Sequence, residues 1–513
     1  MTLLLGIDVG TSAVKALACD ERGTIIATAS APLELSTPRA GWSEQDPRQW
    51  WRATVAAVRA VVQSPGVHAS SIRAVGLSGQ MHGLVLMGAD VRGPCVSALR
   101  PAILWNDQRC APQCARIEEL AGGRAALVRA CGNAALAGFT APKVLWVREH
   151  EPETFHKASV LLLPKDYIRL CLTGAAAQDV SDASGTMLLD AATRRWNAAF
   201  LSRLGLDPAL LPPVLESAAV AGTLTPPASA ELGLLPSTLV AAGAGDNMAG
   251  AIGAGVVEPG QCLATIGTSG VIYTHSREPR ADLPIAEGAP SGRTHLFLAG
   301  DGDALRPGGF SITGCTLSAG GSLQWLHDAL FPDVSYDQLL ADAAAVSPGA
   351  EGLFFLPYLT GERAPHPDPN ARGAFVGLSL RHRRGHLVRA VLEGVTFTMA
   401  QILAIQGSLG LNPPVVRLGG GGARSALWRQ MQADAYGKPV TLTNTEDGPA
   451  LGAAMLGGVA AGVWGSVPEA CRAVVRETHR IEPAEPERYL AARAVFDRLY
   501  QDLRPAFGDM SRL

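Results

Sequence analysis

The chain has 513 residues, 47% hydrophobic and 17% charged, with 43 Lys and Arg against 46 Asp and Glu. That length exceeds what one compact core serves, so two domains are expected, and a net charge of −3 offers no basic excess to nucleic acid or an anionic membrane. Nine scattered cysteines without a secretory lead-in suit reduced thiols in a cytoplasmic protein, Cys110 and Cys114 lack a second pair for zinc, and no apolar stretch approaches the ~20 residues of a membrane helix.

Leu3 to Ile7 is a continuous apolar run, as expected of a strand buried on both faces. Gly10-Thr11-Ser12 interrupts it, Ala13 to Cys19 resumes it, and Thr24 to Ala29 follows the turn Asp20-Glu21-Arg22-Gly23, so the chain opens as a three-strand meander. Asp46 and Pro47 suit the N-cap and first residue of a helix whose apolar stripe includes Trp51, Val55, Val58 and Val62. Ile72 to Leu77 is a further buried strand, running into the loop Ser78-Gly79-Gln80-Met81-His82-Gly83. Pro101 to Asp107 passes from apolar to polar in the same way, and strand ends of this kind are where open α/β sheets hold ligands. Leu239 to Ala242 leads into Gly245-Asp246-Asn247 and a small-residue helix beginning near Met248.

A partial repeat follows. Val9-Gly10-Thr11-Ser12-Ala13-Val14 returns as Ile266-Gly267-Thr268-Ser269-Gly270-Val271, again between strand-like runs, as duplication of one α/β unit would leave it. The division then falls just after Gly250, giving domains 1–250 and 251–513 in an α/β architecture. In such a turn consecutive N–H groups can face phosphate oxygens, Thr11 and Ser12 add hydroxyls, and Asp8 would repel phosphate unless it holds Mg²⁺. Four glycines, Gly419 to Gly422, between a strand and a helix through Trp428, Met431 and Ala435, read as a place where a nucleotide lies across the backbone. They match neither a P-loop nor a dinucleotide fingerprint.

Asp246 is either the acceptor of a sugar hydroxyl proton or a helix N-cap, and the local sequence leaves both open; for the first role an ordinary aspartate pKa suffices. Asn247 is a substrate contact or a cap neighbour. His82 is a partner for sugar hydroxyls or a surface histidine, and Trp105, Asn106 and Asp107 are a polyol-binding set or a buried Trp beside a capping pair.

These stretches together resemble the FGGY carbohydrate kinases. The resemblance is carried by Gly6 to Ser12, Trp42 to Pro47, Gly79 to Gly83, Leu104 to Asp107, Leu163 to Tyr167, Ser181 to Thr186, Gly361 to His366 and Gly420 to Ser425. It implies two ribonuclease H-like domains of the actin/hexokinase/Hsp70 ATPase superfamily around a cleft, with ATP and Mg²⁺ as the cofactors. The Gly-Gln-Met-His-Gly loop resembles that of members acting on D-xylulose rather than glycerol, with ribulose, another ketose or a polyol as alternatives and a non-catalytic sensor on the same fold as a remoter one. By this resemblance Asp246 takes the proton, Met81 and His82 contact the sugar, and Asp8 supports the metal. Gly10, Thr11, Ser12, Gly267 and Thr268 face the phosphates, Gly320 and Gln324 lie at a nucleotide-contacting helix start, and Gly421, Gly422 and Ser425 lie under the adenosine. This chain departs from the pattern at Ala244, where three glycines are usual, and from Asp301 to Phe310; base placement is expected to survive both. Residue types leave the oligomeric state open, a homodimer included.

Overall fold

The three opening runs form β1 (Leu3–Val9), β2 (Ala13–Asp20) and β3 (Ile25–Pro32), an antiparallel meander. The computed structural model describes residues 2–89, 97–284, 290–445 and 447–512. β1 is buried nearly throughout because β4 (Ile72–Gly79) pairs with its other edge in parallel. The sheet is completed by β5 (Val220–Thr223), β6 (Leu239–Ala241) and the short β7 (Ala244–Gly245), in the order β5-β6-β4-β1-β2-β3 with β7 beside β4.

A second seven-stranded sheet comprises β8 (Cys262–Ile266), β9 (Gly270–Ser276), β10 (His295–Leu298), β11 (Phe310–Thr316), β12 (Val416–Gly419), β13 (Val440–Thr443) and β14 (Glu477–Ile481). Its order is β10-β11-β9-β8-β12-β13-β14. The run β3-β2-β1-β4-β6 and the run β11-β9-β8-β12-β13 share one succession of pairings: two antiparallel, then two parallel. The six-residue echo thus marks the first hairpin of two topologically equivalent sheets.

Asp46 caps α1 (Pro47–Val62) by accepting from the Arg48 N–H, as expected. Of the expected stripe Trp51 and Val58 are buried while Val55 and Val62 are half-buried, and Trp50, Thr54, Ala57 and Val61 complete the inward face. Trp50 anchors that face through Nε1, which donates to Gln45 Oε1 at 2.9 Å. Asp246 begins α2 (Asp246–Gly253), with Gly245 as its N-cap, so the helix starts two residues before Met248 and Asp246 is not the cap.

The remaining helices used below are α3 (Gly320–Leu330), α4 (Arg384–Ser408), α5 (Ala426–Tyr436) and α6 (Gly448–Ala460). The 25-residue α4 corrects the expectation about apolar stretches. Its most apolar window has a mean hydropathy of 1.4, long and apolar enough to cross a membrane, yet 89% of that window is buried inside the protein. It lies in the core of the second sheet, where Arg389 and Glu393 pair at 2.8 Å.

α6, late in the chain, packs on the first sheet. A Cβ at Gly6 would lie 1.8 Å from the Ala450 carbonyl oxygen, and one at Gly76 1.7 Å from that of Ala453, so glycine at these strand positions is what admits the helix backbone. Leu4, Met248, Leu451 and Val467 consequently share one core. The eight described cysteines are free thiols; Cys95 lies outside the described residues.

Candidate active site

Sheet register brings the two chemically important carboxylates together. Asp8 lies opposite Ser78 on β4, Ser78 lies opposite Ala244 on β7, and Asp246 follows at the C-terminal edge of these parallel strands. Ser78 Oγ donates to Asp8 Oδ1 at 2.9 Å. Removal from water, with the charge of Asp8 nearby, raises the Asp246 pKa to about 7, above the ordinary value that would suffice for the role. Burial raises the pKa of Asp8 too, opposed by the Ser78 hydrogen bond and the charge of Lys15. Asp246 Oδ1 accepts from the Asn247 N–H at 2.7 Å and from Asn247 Nδ2 at 3.1 Å, and Asn247 also reaches Met81 Sδ at 3.9 Å.

The loop before Asp246 is held from behind. Its Gly245 N–H donates to Ser181 Oγ at 3.0 Å, and that hydroxyl donates to Asp179 Oδ2 at 2.6 Å. Lys165 Nζ lies 2.8 Å from both Asp166 and Asp179 and 3.6 Å from Asp182, all fully buried. This acidic group is therefore organised around an ammonium, and it gives the Lys165-Asp166 and Ser181-Asp182 motifs a structural use. The methyl of Ala244 is accommodated against Gly300, whose Cβ position lies 3.3 Å away.

A cavity of about 630 Å³ opens between Asp246 and the second sheet. Of the expected ligand-binding residues, Asp246, Asn247, Gly267 and Gly421 line it. Thr265, at the place that Asp8 occupies in the first half, lines it as well, with Ser269, Thr443, Thr445 and Arg429. Sequence reading missed Thr443 and Thr445, although a run of threonines at the end of a strand is a polar strand-end signal like those it used in the first half.

Other expected nucleotide contacts are engaged elsewhere. Thr11 Oγ1 donates to Gln80 Oε1 at 3.3 Å and accepts from Trp105 Nε1 at 3.0 Å, so its hydroxyl holds the turn together. The N–H groups of Thr11, Ser12, Thr268 and Ser269 have no acceptor among the described residues. Gly320 donates its N–H to Gly267 O at 2.8 Å, and a Cβ there would lie 2.5 Å from that oxygen, so this glycine seats α3 on the second turn. Gln324 is exposed and outside the cavity lining. Gly422 is buried, with its Cβ position 2.6 Å from Ile266 Cβ, and Ser425 caps α5 by accepting from the Trp428 N–H. Two of the four glycines, Gly420 and Gly422, are thus explained by close packing on Ile266 rather than by a nucleotide lying across them.

Around the expected sugar loop, His82 adopts φ +68°, and its carbonyl accepts from Thr140 Oγ1 at 3.1 Å and Lys143 Nζ at 2.9 Å. Its Nδ1 lies 2.9 Å from the Gly185 carbonyl oxygen. A carbonyl only accepts, so Nδ1 carries the proton and Nε2 of the neutral ring is an acceptor. Burial, assisted by Lys143, holds the pKa of His82 well below the ordinary value. The ring packs on Phe139 at 4.6 Å and Phe297 at 5.8 Å, so His82 is not a surface histidine, and Phe297 comes from β10 of the second sheet.

Trp105 is 37% exposed and touches the first turn, and buried Asn106 Oδ1 has no partner among the described residues. Asp107 corrects the expectation of sugar contact: it is fully buried, pairs with Arg109 at 2.7 Å and accepts from the Ser43 N–H at 2.6 Å. Arg109 in turn pairs with Glu44 at 2.7 Å and stacks 3.6 Å over Trp42, which gives the Trp42-to-Pro47 motif its use.

Comparison with known proteins shows the family. The model for the N-terminal domain of the FGGY family of carbohydrate kinases matches residues 3–253, and that for the C-terminal domain matches residues 262–461. A xylulose kinase of Bacillus subtilis (strain 168) is 40% identical over 511 residues, covering 100% of this chain and 98% of the relative. One of Escherichia coli (strain K12) is 40% identical over 508 residues, covering 98% and 99%. A crystal structure described as a xyloylose kinase from Brucella ovis superposes with a TM-score of 0.88 at 36% identity, covering 98% of this chain and 100% of the other.

Proposed function

The chain belongs to the FGGY family of carbohydrate kinases, with that family's two-domain actin/hexokinase-type fold, and from that premise we propose that it transfers the γ-phosphoryl group of ATP to D-xylulose, giving D-xylulose 5-phosphate. The observation that carries the reading is Asp246, which stands opposite Asp8 and in contact with the Met81 side through Asn247 while lining the cavity that reaches Gly267 and Gly421. One carboxylate thereby faces both a sugar loop and a nucleotide-sized cleft. In this reading residues up to 250 hold the sugar and supply the base and the first phosphate turn, and residues from 251 hold the nucleotide.

Asp246 accepts the proton of the terminal sugar hydroxyl as that oxygen attacks phosphorus, and a pKa of about 7 keeps it a competent base near neutral pH. The Thr11, Ser12, Thr268 and Ser269 N–H groups donate to phosphate oxygens. His82 Nε2 accepts from a sugar hydroxyl, and Met81 and Asn247 border the same position. A lone hard carboxylate at Asp8, its pKa raised and its neighbour another carboxylate, fits Mg²⁺, which keeps most of its waters. Bound there with ATP, the ion would neutralise charge on the phosphates.

A panel of D-xylulose, ribulose, glycerol and xylitol under one coupled ADP-release assay tests the substrate. D-xylulose is expected to give the highest kcat/KM, and a clear preference for another sugar, or sugar-independent turnover alone, would overturn the reading.

A further inference from the structure

The motif Gly361 to His366 has no role in the mechanism above, yet its arginine reaches the Gly138 segment of the first half. Arg363 is half-buried, and its guanidinium has no hydrogen bond or ion pair among the described residues. Its Nη2 lies 3.4 Å from the Cβ position of Gly138, and that same position lies 2.4 Å from the Trp105 carbonyl oxygen, so a side chain at residue 138 would separate Arg363 from the Trp105 segment. His82, Lys143 and His295 are within electrostatic reach of the guanidinium.

The charged groups nearby do not neutralise it. The oxygens of Glu362 are taken by Thr316 Oγ1 at 2.6 Å and by the N–H groups of Leu317 and Arg363 at 3.1 and 2.7 Å. Burial raises the pKa of Glu362 to about 8, opposed by these hydrogen bonds and by the charge of Arg363. Lys143 points to the carbonyls of His82 and Gly138, and burial lowers its pKa to about 7. A half-buried guanidinium with no hydrogen-bond or ion-pair partner among the described residues is a set of donors awaiting an oxygen ligand.

We propose that Arg363, from the second half, binds the substrate at the end away from Asp246, donating to an acceptor oxygen beside the hydroxyl that His82 receives. In a 2-ketose whose terminal hydroxyl is at Asp246, the opposite end presents a carbonyl, which only accepts, next to hydroxyls, which can donate. The neighbouring acceptor at His82 and donor at Arg363 match that pair, whereas a polyol offers no carbonyl. The inference rests on the sugar-kinase reading of this site.

The test uses the full chain and the variants Arg363→Met and Arg363→Lys. Sugar binding is titrated without nucleotide by tryptophan fluorescence, and steady-state kinetics are measured with xylulose and xylitol. Arg363→Met is expected to weaken xylulose binding and raise its KM by about 10- to 100-fold. It should leave the KM for ATP and the thermal midpoint in place and reduce the preference for ketose over polyol. Arg363→Lys keeps the charge but loses the fork, and is expected to fall between the two. Xylulose affinity within twofold of the parent in Arg363→Met, or equal losses for both sugars and ATP, would overturn the assignment. Failure of the parent to phosphorylate any ketose would count against the functional reading alone, because the nucleotide-free titration still reports on Arg363.

Discussion

The two Gly-Thr-Ser turns hold equivalent places in their sheets and differ in register and in what supports them: Val9 lies opposite Val14 in the first, whereas Ile266 lies opposite Gly270 in the second. In the first, Gly10 O accepts from Gln80 Nε2 at 3.2 Å and Thr11 O from Gln45 Nε2 at 2.7 Å. In the second, Gly267 O accepts from the Gly320 N–H at 2.8 Å, and Thr268 O from the N–H groups of Ala319 and Gly321 at 2.8 and 3.1 Å. The same two carbonyls are thus satisfied by side-chain amides in one half and by a helix start in the other. Either device leaves the next N–H groups without an acceptor among the described residues. The strands beneath differ as well, with Asp8 in one and Thr265 in the other, so only the first half supplies a carboxylate opposite Asp246. Topology was duplicated, and the chemistry was then assigned to one copy.

The sharpest test of that inequality is at the carboxylates. Asp246→Ala is expected to lower kcat about 10³-fold with the fold retained by circular dichroism; full activity in the folded variant would remove Asp246 from its role. Asp8→Asn should lower kcat about 100-fold, while Thr265→Ala should stay within about threefold, and equal effects would break the comparison. The pH profile sharpens it further. The base must be ionised, so kcat/KM should rise through an apparent pKa of about 7 in the parent. Since the charge of Asp8 raises that value, the limb should move to lower pH in Asp8→Asn.

Smaller effects are expected in the glycine run. A methyl at Gly422 would meet Ile266 at 2.6 Å, and Gly422→Ala should destabilise the fold by about 1–3 kcal/mol in chemical denaturation. At Gly421 the nearest atom to the Cβ position is 3.8 Å away, so Gly421→Ala should unfold like the parent and instead raise the KM for ATP. Smallest is a stability effect. The pKa of Asp246 is raised on folding, so its ionisation opposes folding fully above pH 7 and not at all below the unfolded value near 4. Asp246→Asn should therefore raise the thermal midpoint at pH 8 and leave it unchanged at pH 4.

Local chemistry made much of this legible. Apolar runs broken by Gly-Thr-Ser located both hairpins, Asp46-Pro47 located the start of α1, and Gly245-Asp246-Asn247 located the candidate base, because strand burial, capping and strand-end polarity act over a few residues. The side-chain roles were less legible. Asp107 and Thr11 look like ligands in sequence, but their bonds run to Arg109 and Ser43, and to Gln80 and Trp105, partners that lie up to 94 residues away.

By itself the sequence determined the duplication, the α/β class, the family and the candidate base, since each depends on residue types in order along the chain. Only the tertiary structure decided that α6 completes the first sheet's core, that Phe297 of β10 packs on His82 and Arg363 reaches Gly138, and that the pKa of Asp246 rises to about 7. The physical reason is common to all three: close approach, desolvation and charge are set by groups brought together across the fold. Of the paired turns, sequence showed that there are two, and the structure showed that their supports and their carboxylates are not alike.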